Sequence, residues 1–220
     1  ARKRTNRYWD PGIMVDAKRL PTSPDDYGPD ICADFVCNFI KEHQAEPFLI
    51  YYPMLLVHQH AKAWPETPDL DNPGQQTAEG LAPNIRYMDH LVGRVRNTVD
   101  ELGLGDNTYV FFIGDNGTEG AGKGEVTELG AQVPLIVRGP GISKGVVSGE
   151  LVDLTDILPT LAELADAPLP KDRTIDGLSM VPTLLNQPGP TRDWIFSYLG
   201  DKRLLRDKRW LLEGDGQFFD

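Results

Sequence analysis

Three small groups of residues have the types and spacing that chemistry requires. Asp115-Asn116-Gly117 follows directly on an apolar run that ends at Ile113. Open α/β sheets bind ligands beyond the carboxyl ends of their strands, where connecting loops converge on a crevice. A carboxylate beside an amide carbonyl at such an edge offers two hard oxygen ligands suited to Ca²⁺ or Mg²⁺. Asn-Gly is equally a common turn dipeptide, and the tripeptide alone fits both readings. Further on, Lys123 lies within Gly120-Ala-Gly-Lys-Gly124. Counted from Gly117, this stretch matches G-x-x-x-x-G-K, the opening of a phosphate-binding loop, but Gly124 stands where a Ser or Thr would reach Mg²⁺. Residues 125–134 hold Gly130 and a proline, which makes a poor helix after such a loop. A lysine between glycines still suits close approach to an anion, because its flanks add no bulk.

The third group is His58-Gln59-His60, just past the apolar run 47–57. Alternate residues on an extended segment point the same way, so the two imidazoles could chelate a transition metal. One histidine could instead act as general acid or anion donor. Two loop histidines without a role are the third reading. Cys32 and Cys37 are five residues apart on a helical pattern, about 140° around the axis, so they do not face each other. Both read as structural.

These groups depend on the elements that carry them. Cys32, Phe35, Val36, Phe39 and Ile40 line one face of a helix over residues 28–43. Pro47-Phe-Leu-Ile-Tyr-Tyr-Pro53 is short, continuous and aromatic, and predicts a buried strand of a parallel sheet. The Pro-rich stretch 58–83 is too long for an idle connection. Ile85, Met88, Val92, Val95, Val99 and Leu102 then step by three and four, a long amphipathic helix ended by Gly103 and Gly105. Residues 107–113 and 133–137 predict two more buried strands. Thr155 or Asp156 is positioned to cap a helix with Pro159 in its first turn and Ile157, Leu158, Leu161 and Leu164 on its buried side. This alternation predicts an α/β protein whose parallel or mixed sheet carries helices on both faces. Beyond Pro190, residues 194–198, 203–205 and 209–212 read as short strands opening a smaller antiparallel unit. The expected division is 1–189 and 190–220.

Composition narrows the field further. The 220 residues contain 33 acidic and 22 basic side chains, a net charge of −11 that repels phosphate backbones and excludes nucleic acid as the favoured partner. The basic clusters at 1–7 and 202–208 read as solvated ends. With 22 Gly and 18 Pro the chain is loop-rich but folded. Two cysteines exclude a Cys-rich zinc module, and no apolar run reaches the roughly 18 residues of a membrane helix.

Taken in order, the segments resemble the sulfatases of the alkaline-phosphatase-like superfamily. The stretches that carry the resemblance are PFLIYYPMLLVH at 47–58, YMDHLVGRV at 87–95 and LGLGDNTYVFFIGDNG at 102–117. They continue with GAGKGEVTELGAQVPLIVRGPG at 120–141, LVDLTDILPTLAELADAPLP at 151–170 and DGLSMVPTLL at 176–185. The resemblance implies an alkaline-phosphatase-like mixed or parallel sheet sandwiched by helices. It implies Asp115 and Asn116 as ligands of Ca²⁺, with Mg²⁺ the other candidate, and His58 and Lys123 as contacts to the sulfate and its leaving-group oxygen. It further implies hydrolysis of an aryl or carbohydrate sulfate ester, and a periplasmic or secreted setting.

Such enzymes use a formylglycine made from the cysteine of a C-x-[PA]-x-R motif. No such motif occurs here: Ala33-Asp34-Phe35 follow Cys32, and Asn38-Phe39-Ile40 follow Cys37. The chain thus looks like the middle and rear of a sulfatase without its N-terminal portion, expected to be inactive alone and to need that portion to complete its sheet. Val57-His58-Gln59-His60 stands where the family writes P-H-x-P, and the 117–123 segment is shorter than usual. A phosphoester or phosphonate hydrolase of the same superfamily, and a degenerate member without catalysis, are the rival readings.

Overall fold

The computed structural model describes residues 7–59, 63–118 and 120–220. His60 and most of the basic cluster at 1–7 lie outside the described residues. The chain forms two compact units, Ala1–Thr108 and Tyr109–Asp220.

The first unit opens with a two-stranded hairpin, β1 (Met14–Val15) and β2 (Lys18–Arg19), and is built around two helices, α1 (Gly28–Glu42) and α2 (Leu81–Glu101). Pro29 sits in the first turn of α1, where its missing N–H costs nothing, and Lys41 sits in the last turn against the helix dipole. The i, i+3, i+4 spacing places Ala33, Val36 and Ile40 on one buried face. Val36 and Ile40 pack with Val99 of α2, while Ala33 joins Leu91, Tyr87, Tyr8, Tyr27 and Leu56 in a second cluster. Between the helices, the Tyr87 hydroxyl donates to both oxygens of Asp30 at 2.9 Å, and Arg94 reaches Asp30 and Asp34. Burial raises the Asp30 carboxyl above its usual range, only partly offset by the Tyr87 hydrogen bond and the Arg94 charge.

The segment 47–53 corrects the expectation of a buried strand. It alternates: Phe48, Ile50 and Tyr52 pack onto the Val36–Ile40–Val99 cluster, whereas Leu49 is 75% and Tyr51 89% exposed. A strand exists by virtue of the neighbour that completes its ladder. No described segment pairs with this one, so it runs extended with one face bare. The loop that follows is tied down from residue 63 onward. Fully buried Asn84 donates to the carbonyls of Pro65 and Gly80, both at 2.7 Å, and Arg86 grips Asp71 bidentately at 2.6 and 2.7 Å.

In the second unit, β3 (Val110–Ile113) pairs antiparallel with β4 (Leu135–Arg138), from Val110 opposite Arg138 to Ile113 opposite Leu135. The short helix α3 (Glu128–Ala131) lies between them. A single 3-10 turn at Leu154–Asp156 leads into α4 (Ile157–Leu164), and α5 (Val181–Leu184) follows. Asp156 stands at the expected N-cap of α4 without a side-chain cap bond there; the capping bonds belong to the 3-10 turn, where the Asp153 carboxylate accepts from Thr155 N at 2.8 Å and Asp156 Oδ2 accepts from Asp153 N at 2.9 Å. That reciprocal box turns Asp156 inward. Leu158, expected on the buried side, is 52% exposed, because Pro159 and Thr160 take the inner face.

The chain ends in a four-stranded antiparallel meander, β5 (Ile195–Leu199), β6 (Lys202–Arg206), β7 (Leu211–Glu213) and β8 (Phe218–Phe219). Leu204 is buried beneath it, while Phe196, Leu205, Leu212 and Phe218 lie in register across the exposed face. Every strand pair among the described residues is antiparallel, so the parallel pairing expected for the 107–113 and 133–137 strands is corrected: β3 and β4 form an antiparallel pair. No helix of the described residues is long and apolar enough to cross a membrane.

Candidate functional site

β3 delivers Asp115 and Asn116 to the surface through Gly114. The Gly114 N–H donates to the Pro134 carbonyl at 2.9 Å, and a Cβ there would lie 2.9 Å from Pro134 Cδ, so glycine lets the strand exit graze the start of β4. Asp115 and Asn116 are both exposed. Asn116 Nδ2 donates to the Gly117 carbonyl at 3.1 Å and more weakly to Asp115 Oδ1 at 3.4 Å.

The loop that carries Lys123 folds back on itself. The Thr118 carbonyl accepts from the N–H groups of Ala121, Gly122 and Lys123 at 3.1, 2.9 and 3.0 Å, and Gly117 N donates to the Gly130 carbonyl at 2.9 Å. Three glycines permit this crossing against α3. A Cβ on Gly117, Gly122 or Gly130 would lie 2.0, 1.7 or 2.1 Å from a backbone oxygen of Leu129 or Glu125. Lys123 rides on this loop with its side chain exposed. The phosphate-loop reading fails on the same geometry: three N–H groups that would cradle a phosphate are consumed by the Thr118 carbonyl, and α3 has only four residues. Lys202 reaches Glu125 Oε2 at 2.5 Å and the Gly124 carbonyl at 3.2 Å, which ties the loop to β6.

His58 belongs to the first unit. Its ring is exposed, with Nδ1 2.6 Å from the Gln59 carbonyl. A ring nitrogen beside a carbonyl oxygen carries the proton, which turns Nε2 outward as the working atom. The main chain at His58 is held by Tyr8, whose hydroxyl donates to the His58 carbonyl and to the Leu55 carbonyl, the latter at 3.2 Å. Sequence reading missed Tyr8, since a tyrosine fifty positions away carries no local signal.

The donor set at β3 fits part of a divalent-cation site. One carboxylate and one amide carbonyl are hard oxygen donors, but Ca²⁺ takes six to eight. No cluster of three or more His, Cys, Asp or Glu side chains with metal-binding geometry occurs among the described residues. Within the second unit, Asp115, Asn116 and Lys123 thus share one glycine-braced loop system, and within the first His58 stands on the segment bonded by Tyr8.

The Sulfatase family model matches residues 3–167. Steryl-sulfatase of Mus musculus is 34% identical over 193 residues, covering 78% of this chain and 30% of that protein. Arylsulfatase A of Bos taurus is 33% identical over 170 residues, covering 71% of this chain and 32% of that protein. A solved Bacteroides thetaiotaomicron structure, described for the metabolism of multiple glycosaminoglycans, superposes with a TM-score of 0.71 at 26% identity. It covers 91% of this chain and 47% of that one. The fold is therefore of the alkaline-phosphatase-like α/β class. The chain spans about 30% of the length of these curated relatives.

Proposed function

Because the chain belongs to the sulfatase family, we propose that its protein hydrolyses sulfuric esters of an aryl or carbohydrate alcohol in a Ca²⁺-dependent way. Asp115 and Asn116 contribute two of the metal's oxygen ligands, Lys123 holds a sulfate oxygen, and His58 serves the leaving-group oxygen. The observation that carries this reading is the loop beyond β3. It presents a carboxylate, an amide and an ammonium group to solvent on a backbone fixed by Gly117, Gly122 and Gly130.

A divalent cation bound there would draw charge from the sulfate oxygens as the ester bond breaks. The remaining work falls to this chain's side chains. The Lys123 ammonium is a compact, mobile point charge on a flexible stem, suited to an oxygen whose charge grows in the transition state. His58, with Nδ1–H engaged by Gln59, presents Nε2, which when protonated donates to the departing oxygen. The family's nucleophile arises from C-x-[PA]-x-R, and that motif is not among the 220 residues. These residues alone therefore turn over little or no substrate.

The test is an assay of the protein as its source produces it, with 4-nitrophenyl sulfate and 4-nitrophenyl phosphate compared, with and without a chelator. Saturable sulfate release that chelation abolishes and Ca²⁺ restores is expected. Hydrolysis of the phosphate ester alone would assign the chain to a phosphoester hydrolase, and no turnover of either would assign it to a non-catalytic member. Ca²⁺-dependent turnover by the purified 220 residues would overturn the inactivity of this stretch.

A further inference from the structure

The reading of His58 as the leaving-group partner leaves open what holds it in place, since it stands on an irregular segment with no ladder beneath it. We propose that Tyr8 is a positioning residue for His58, a buried strut that sets the main chain from which the imidazole projects. The proposal rests on that reading of His58.

Tyr8 is 0% exposed. Its ring stacks on Tyr27 with centroids 6.3 Å apart and planes at 28°, and Tyr27 is in turn held by Trp9 at 4.8 Å and edge-on by Tyr87 at 5.4 Å. The backbone is fixed as firmly as the ring. Gly28 N at the start of α1 donates to the Tyr8 carbonyl at 2.6 Å, and a Cβ on Gly28 would lie 2.2 Å from the Arg7 carbonyl oxygen. Only glycine lets residues 7–8 come this close to the helix.

From this fixed ring the hydroxyl crosses to the carbonyls of Leu55 and His58. Leu56, between them, is buried in the same cluster. One O–H therefore clamps both ends of the turn 55–58 to the aromatic core, while the His58 side chain points the other way, into solvent. The clamp sets the backbone and the Gln59 carbonyl sets the ring through Nδ1. Together they confine Nε2 to a narrow range of positions, which general acid chemistry requires.

Tyr8→Phe removes the hydroxyl and keeps the ring packing. In the protein as its source produces it, kcat/KM for 4-nitrophenyl sulfate is expected to fall about 10- to 100-fold, mostly in kcat, as misplacement of a catalytic group by an ångström costs. The double variant Tyr8→Phe/His58→Ala is expected to be no slower than His58→Ala, because Tyr8 acts only through His58. In ¹⁵N-histidine spectra, the His58 ring of Tyr8→Phe should move toward averaged tautomers. Losses that multiply in the double variant, or an unmoved His58 signal, would overturn the proposal. Full activity of His58→Ala would instead overturn the role of His58, and the ring signal alone would then decide whether Tyr8 positions it. Should Tyr8→Phe not fold, 3-fluorotyrosine at position 8 keeps ring and hydroxyl while changing its acidity. A shifted His58 signal is then expected, and an unshifted one refutes the strut.

Discussion

Asp156 and Arg192, thirty-six positions apart, meet in a nearly dry interior: Asp156 Oδ2 accepts from Arg192 Nε at 3.1 Å, with side chains 2% and 14% exposed. The same carboxylate accepts from Leu178 N at 2.7 Å and Asp153 N at 2.9 Å, and Thr160 Oγ1, itself bonded to the Asp156 carbonyl, accepts from Met180 N at 2.9 Å. One acid thus fastens the 3-10 turn, the 178–180 segment and the segment leading to the meander.

Removing that charge leaves a buried guanidinium unpaired, and Asp156→Asn is expected to cost about 3–5 kcal/mol in urea unfolding. Burial pushes the Asp156 carboxyl upward, but Arg192 and the two N–H donors outweigh it and hold its pKa below the ordinary 3.8. A depressed carboxyl stabilises the fold fully above its unfolded value and loses that contribution as pH falls through the folded value. Urea midpoints should therefore drop below about pH 4 more steeply in the parent than in Asp156→Asn. Equal slopes would refute the assignment.

Lys123→Ala should lower kcat/KM for an aryl sulfate by about 100- to 1,000-fold, the usual effect of losing one donor to a developing anion. The melting temperature should stay put, because the Thr118 turn is held by backbone bonds that the side chain does not touch. A loss of stability in step with activity would mark Lys123 as structural.

For Asp115, the reading is decided by metal affinity. Ca²⁺ binding followed by calorimetry should weaken by about 10-fold or more in Asp115→Asn, since affinity follows ligand charge. Unchanged binding would return Asp115-Asn116-Gly117 to the status of a turn.

Two glycines of the same loop separate strain from collision. Gly122→Ala drives a Cβ to 1.7 Å from the Leu129 carbonyl oxygen and should destabilise by roughly 2 kcal/mol or more, displacing the loop. Gly120→Ala meets open space and pays only for its positive φ of 81°, about 1 kcal/mol. Thermal unfolding of the two variants side by side checks the difference.

The order of elements was legible in the chain because helix periodicity is a local property. Val36, Ile40 and Val99 lie on the faces that the spacing marked, whereas Phe35 and Ile85 of the same sets are 61% and 45% exposed and Ala33 and Leu91 take buried places that the spacing did not name. The strands at 110–113 and 135–138 and the terminal meander were legible from short apolar runs between turn residues, although Ile136 of the expected buried strand is 63% exposed. The family followed from the order of several such segments together, where no single motif sufficed.

Pairing was not legible, because a strand's partner is a matter of the other chain segments present. Residues 47–53 have the composition of a doubly covered strand, yet among the described residues no strand pairs with them and Leu49 and Tyr51 face solvent. The cap was legible in part: Asp156 stands at the N-cap position of α4, but its carboxylate bonds Arg192 and the Asp153 and Leu178 N–H groups instead of capping α4, while Asp153 caps the 3-10 turn before it.

By itself, then, the sequence determined the helices α1, α2 and α4, the α/β class, the sulfatase family and the four side chains His58, Asp115, Asn116 and Lys123 as the ones to watch. Only the tertiary structure decided how their backbones are held: Gly117, Gly122 and Gly130 in close crossing, and a buried tyrosine hydroxyl closing on the His58 carbonyl. Side-chain chemistry is written residue by residue. A hydrogen bond across fifty positions exists only once the apolar core has brought its ends together.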